Sequence, residues 1–80
     1  MKLLIFVTDD AVADAAVDTL VEQGFRVTRL ASTGGFLRKG NTTLLVGVED
    51  DKVQEASDLV RSATKGALAI TLDLERYERM

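Results

Sequence analysis

The sequence contains no histidine, no cysteine, no proline and no tryptophan. Without cysteine there is no disulfide, no thiolate nucleophile and no thiolate-held zinc or iron–sulfur cluster. Without histidine, the side chain that most often moves protons near neutral pH is missing. A transition-metal site would rest on carboxylates alone, the weak oxygen-ligand end of metal chemistry. Catalysis is left to Asp, Glu, Lys, Arg, Ser, Thr or Tyr, and no pair of titratable residues is spaced to suggest it. Long apolar runs are absent too. Leu3-Leu4-Ile5-Phe6-Val7 spans five residues and Asp9-Asp10 end it, whereas a signal peptide or a membrane span needs a longer run. No membrane insertion is expected, and a cytoplasmic location is.

The formal charge is −3, from 13 acidic and 10 basic residues, and the isoelectric point is about 4.8. Domains that grip nucleic acid by its backbone carry a basic patch and a high isoelectric point. No nucleic-acid partner is therefore expected, although a local basic cluster can still bind a small phosphate ligand. The 80 residues allow one domain, 1–80. A chain of this size buries only about 60% of its unfolded surface. Yet 46% of the residues are hydrophobic, which points to a sheet covered on both faces or to a subunit interface.

Lys2 to Thr8 reads as a strand buried on both faces. Thr8, Asp9 and Asp10 supply capping oxygens for a helix from Ala11, with Ala13, Ala16, Val17, Leu20 and Val21 as its apolar stripe. Asp14, Asp18 and Glu22 form its solvated side, and Gly24 stops it. Phe25 to Ala31 alternates as a strand, and so does Thr42 to Val48. Glu49-Asp50-Asp51 opens a second helix, in which Asp51 and Gln54 have capping-box spacing. Val53, Ala56, Leu59, Val60 and Ala63 make its stripe, and Gly66 closes it. Helix capping accounts for the acidic cluster more simply than a cation site does, so no metal is expected. Ala67 to Leu74 alternates as a last strand, and a charged tail follows, with Tyr77 as its one aromatic.

Strand, helix, strand, strand, helix, strand is the α+β, ferredoxin-like βαββαβ order: a four-stranded antiparallel sheet with both helices on one face. The other face needs a cover. Arg26, Thr28, Thr43, Leu45, Ala69 and Thr71 are its expected members, a mixture that suits a subunit interface better than bare solvent.

The stretch from Ala31 to Thr43 is the most unusual. Within thirteen positions it holds two glycine turns, four hydroxyls, an amide, the cations Arg38 and Lys39, and the aromatic Phe36. Glycines let backbone N–H groups approach an anion, cations attract phosphate, and Phe36 offers a stacking face for a base. Arg26 and Thr28 lie on the strand entering this loop. These are the parts of a nucleotide or phosphate site. A hairpin with Phe36 folded back into the core is the other reading of the same residues. Gly47, inside a strand, marks a close backbone approach or a tolerated gap under a bulky neighbour.

The run Gly24-Phe25-Arg26-Val27-Thr28-Arg29-Leu30-Ala31-Ser32-Thr33-Gly34-Gly35-Phe36-Leu37-Arg38, followed by Gly40-Asn41-Thr42-Thr43-Leu44-Leu45-Val46-Gly47-Val48-Glu49-Asp50, closely resembles the cyclic di-AMP receptors. These are PII-like bacterial signalling proteins. The run covers about a third of the chain, and Lys2 to Thr8 and Ala67 to Tyr77 also look like the family. The resemblance implies a non-enzymatic homotrimer of ferredoxin-like subunits with their sheets facing inward. Its ligand, cyclic di-AMP, would lie in clefts between subunits, and its state would pass to a downstream protein partner that the sequence does not identify. By matching position, Arg26 and Thr28 would contact the ligand. Phe36 and Leu37 would wall an adenine, Asn41 would hydrogen-bond, and Gly47 would offer backbone. No cofactor is implied.

The chain departs from the family between the second helix and the last strand. Relatives carry a long loop there that helps cover the ligand, where only Ser62 to Gly66 connect the two elements in this sequence. The tail ends in Arg79-Met80, where relatives tend to carry Gln and an aromatic. The alternative that follows is a PII-like trimer that binds another adenine nucleotide, or none, and serves as a scaffold or interaction module.

Overall fold

The computed structural model describes residues 1–31, 40–64 and 66–75. Its elements are β1 (Lys2–Asp9), α1 (Asp10–Glu22), β2 (Val27–Ala31), β3 (Asn41–Val48), a short 3-10 turn (Asp50–Lys52), α2 (Val53–Ala63) and β4 (Leu68–Asp73). The strands form one sheet in the order β2-β3-β1-β4, and every neighbouring pair is antiparallel. This is the expected ferredoxin-like arrangement.

Side chains alternate across a strand, and the pairing register sorts them onto two faces. Leu4 pairs with Val46, Phe6 with Leu44 and Thr8 with Thr42. These residues are buried, and Leu4, Phe6, Leu44 and Val46 join Ala16 and Leu20 of α1 and Ala56 and Val60 of α2 in one core. Both helices therefore cover the same face. On the other face Leu3 pairs with Gly47, Ile5 with Leu45 and Val7 with Thr43.

The register corrects the expected membership of that open face. Ala69 pairs with Phe6 and Thr71 with Leu4, so both point toward the helices; Leu68 and Ile70, opposite Val7 and Ile5, and Leu72, opposite Leu3, point away. Leu68, Ile70 and Leu72 are 57%, 41% and 46% exposed. The open face thus carries Leu3, Ile5, Val7, Leu30, Leu45, Leu68, Ile70 and Leu72. It is far more apolar than the sequence pattern suggested.

The helix ends also differ from expectation. Neither Asp9 nor Lys52, the two N-cap residues, makes a side-chain capping bond. The Asp10 carboxylate instead accepts from the Thr42 hydroxyl on β3. Gln54 does not close a capping box but donates to Asp58 one turn on. At the end of α2, Thr64 rather than Gly66 provides the stop, its N–H and hydroxyl both donating to the Val60 carbonyl. The α1 stripe stops at Leu20, because Val21 is exposed. Asp14 is exposed, as expected, and from that solvated side of α1 it also pairs with Arg29 of β2.

Candidate functional site

The end of α1 aims the strand that follows. The Gly24 N–H donates to the Val21 carbonyl and the Phe25 N–H reaches back to Leu20. Gly24 has φ +88°, the left-handed conformation in which such a paired turn closes a helix. Phe25 is thereby packed against the core, and strand alternation continues with Arg26 exposed, Val27 half-buried and Thr28 exposed. β2 itself begins at Val27, two residues later than the alternation suggested.

Arg26, Thr28 and Gly47 line one hollow of about 790 Å³, with Leu3 and Leu45 beside them. Thr28 and Leu45 are paired across β2 and β3, and Leu3 and Gly47 across β1 and β3. The hollow thus lies at the end of the sheet where β2 starts and β3 finishes, and reaches from the open face round to the start of α2. Lys52, Glu49 and Glu55 also border it.

Five cationic side chains lie among the described residues. Lys2 pairs with Asp73, Arg29 with Asp14, Lys52 with Glu55 and Arg61 with Asp58. Arg26 has no carboxylate partner among the described residues, so its guanidinium is not spent on holding the fold. Guanidinium is the side chain best shaped for bidentate contact with phosphate. The ammonium of Lys2 is held above its usual pKa, first by the hydrogen bond it donates to Asp73 and then by that carboxylate's charge. The Asp73 carboxyl is held below its usual value by the same bond and charge. Neither residue lines the hollow.

Gly47 has room. A Cβ built there would meet nothing within 4 Å, and its φ lies outside the left-handed region. The fold of the subunit does not require glycine at this position, and no bulky neighbour fills the gap. The backbone at Gly47 is therefore open to close approach.

Asn41 is placed elsewhere. It opens β3, half-buried, opposite Asp9 at the last rung of the β1–β3 ladder. Six strand positions separate it from Gly47, roughly 20 Å at the rise of a strand. Phe36 and Leu37, together with Arg38, Lys39 and Tyr77, lie outside the described residues. The structure therefore brings Arg26, Thr28 and Gly47 together and sets Asn41 at the far end of the same face. Sequence reasoning missed Leu3 and Lys52 at the hollow. The signal for Leu3 was its register partner Gly47, which only strand pairing reveals. No cluster of three or more potential metal ligands forms among the described residues, and no described helix is long and apolar enough to cross a membrane.

The fold is an antiparallel βαββαβ sheet with one helix-covered face, and at one end of it a hollow holds a glycine and a guanidinium that has no carboxylate partner among the described residues. The sequence model of the cyclic-di-AMP receptors matches residues 1–76, and the chain belongs to that family. Its fold is also that of a solved protein of unknown function from Pediococcus pentosaceus ATCC 25745. The two are 30% identical with a TM-score of 0.87, over 99% of this chain and 96% of the other.

Proposed function

We propose that this protein is a receptor for cyclic di-AMP that works as a homotrimer, with the nucleotide in clefts between neighbouring subunits. The observation that carries this reading is the convergence, in a member of this family, of Arg26, Thr28 and Gly47 on one open hollow. Arg26 contacts a phosphate, Thr28 hydrogen-bonds beside it, and the Gly47 backbone lies against the ligand. Phe36 and Leu37 wall an adenine, and Asn41 hydrogen-bonds the base or ribose. Asn41 and Gly47 are farther apart on one subunit than a folded cyclic dinucleotide reaches. Two subunits presenting opposite ends of their sheets resolve that separation. The apolar open face, with Leu30, Leu68, Ile70 and Leu72 exposed, supplies the contact between them, since contiguous exposed apolar residues mark interaction surfaces. The receptor senses its ligand and passes the state to a protein partner.

The test is calorimetric titration of cyclic di-AMP, AMP and ATP, with mass measured by light scattering. Cyclic di-AMP is expected to bind a trimer, and Arg26→Ala to weaken it by about 1.5–3 kcal/mol, the range for a hydrogen bond to a charged group, with little loss of thermal stability. If Arg26→Ala instead unfolds the protein while affinity per folded molecule stays the same, the residue is structural. The short connection from Thr64 to Ala67, between α2 and β4, favours a second reading, because it leaves little chain to cover a ligand. In that reading another adenine nucleotide is preferred, and tighter binding of AMP or ATP would support it. No binding of any of the three, by an intact trimer, would leave the scaffold.

A further inference from the structure

Strand ends are ordinarily the parts of a sheet that open first. Asn41 stands at such an end, yet both of its neighbours are held by one residue. The Asp10 N–H donates to the Gly40 carbonyl at 2.8 Å, and the Asp10 carboxylate accepts from the Thr42 hydroxyl. Asp10 is the first residue of α1, so the anchor is part of a helix packed on the core. Thr42 is 2% exposed and faces the helices. Successive strand residues face opposite sides, so fixing residue 42 inward fixes residue 41 outward. A slip of one position would turn Asn41 toward the helices.

We propose that Asp10 is a positioning residue for ligand recognition: by clasping Gly40 and Thr42 it sets the direction in which the Asn41 amide is presented on the open face. The inference rests on the receptor reading above and adds to it a residue that does not touch the ligand. The clasp joins the first turn of α1 to Gly40 and the start of β3. Preorganising a contact in this way raises affinity by lowering the ordering cost of binding.

The experiment is a cyclic di-AMP titration of the unmodified protein, Asp10→Ala, Asp10→Asn, Thr42→Val and Asn41→Ala, with Asp10→Ala also combined with Asn41→Ala. Asp10→Ala and Thr42→Val are each expected to weaken binding roughly 3- to 10-fold, the scale of a lost preorganisation. Asp10→Asn, which keeps an oxygen acceptor for the Thr42 hydroxyl, is expected to restore most of the affinity. Because Asp10 acts through Asn41, Asp10→Ala is expected to add nothing once Asn41 is alanine. Binding of Asp10→Ala as tight as that of the unmodified protein, or the same fold-loss with and without Asn41, would overturn the inference. Failure of the unmodified protein to bind would instead overturn the receptor reading. Amide hydrogen exchange then still decides on the clasp. Faster exchange at residues 41–43 in Asp10→Ala, with Val46 and Val48 unchanged, supports it, and unchanged exchange at all of them refutes it.

Discussion

Leu4 and Phe6 are each 1% exposed, whereas Leu3, Ile5 and Val7, interleaved with them on the same strand, are only half-buried. The two sets share a backbone and nearly the same chemistry. What separates them is cover: two helices lie over the first set, and nothing described lies over the second. A face covered by its own chain stabilises the subunit. A face of equal apolarity without such cover stabilises whatever assembly closes over it. Arg26, Thr28 and Gly47 of the hollow belong to the second face, so in the receptor proposed above binding and assembly would share one surface while folding uses the other.

Substitutions that strike one face at a time break this comparison. The largest effect is expected from Phe6→Ala, which empties the helix-covered core. Phenylalanine truncations in cores cost about 3–5 kcal/mol, a large share of the ~5–15 kcal/mol that holds a typical domain together. Urea unfolding followed by circular dichroism should show the midpoint collapse. Next comes Ile70→Asp on the open face. Its side chain is already 41% exposed in the subunit, so the secondary structure should persist while light scattering reports a monomer. A trimer that survives a buried, unpaired carboxylate would assign the interface to another surface.

Gly47→Ala separates the faces more finely. Nothing in the subunit opposes a Cβ there, and replacing glycine by alanine at a compatible position stabilises by about 0.4–1 kcal/mol through the unfolded chain. The expected outcome is unchanged or higher thermal stability in the absence of nucleotide, together with weaker binding of cyclic di-AMP. Equal binding would show that nothing approaches this backbone closely. The smallest effect concerns the Lys2–Asp73 pair across the β1–β4 edge. The Asp73 carboxyl is held low, so its contribution is present above its unfolded pKa and fades as pH falls through the lowered folded value. The Lys2 ammonium is held high, so its contribution is present below its unfolded pKa and fades as pH rises through the raised folded value. Thermal melts should show a slight loss at both extremes, and Asp73→Asn should remove the acid-side loss while leaving neutral stability almost unchanged.

The order of elements was legible because alternation in Thr42–Val48 and helical spacing in Val53–Ala63 are strong periodic signals. The assignment of Ala69 and Thr71 to the open face failed for a physical reason. Pattern reading gives the larger aliphatic residues to the covered side, whereas here the small residues of β4 face the helices and Leu68, Ile70 and Leu72 face away. The capping expectations failed at Asp10 because a carboxylate at a helix start has more than one partner within reach, and Thr42 is distant in sequence. Within the site, Arg26, Thr28 and Gly47 were legible as chemistry, but their convergence depended on the β1–β3 and β2–β3 registers. The separation of Asn41 from them became visible only when both ends of β3 were placed. Phe36 and Leu37 fall outside the described residues.

The central position of β1 governs how the chain reaches this state. β1 pairs on one side with β3 and on the other with β4, and the contact between Lys2 and Asp73 closes a separation of 71 residues. Long-range pairings of this kind slow folding, because loop closure must be met before the pairing gives anything back. During synthesis the apolar strand made earliest waits for the last strand to complete its ladder. Even after β3 has paired, the other edge of β1 stays open to another chain until β4 arrives. An open strand edge of this kind is a template for pairing between chains, so the strand order itself makes β4 the element that closes the sheet.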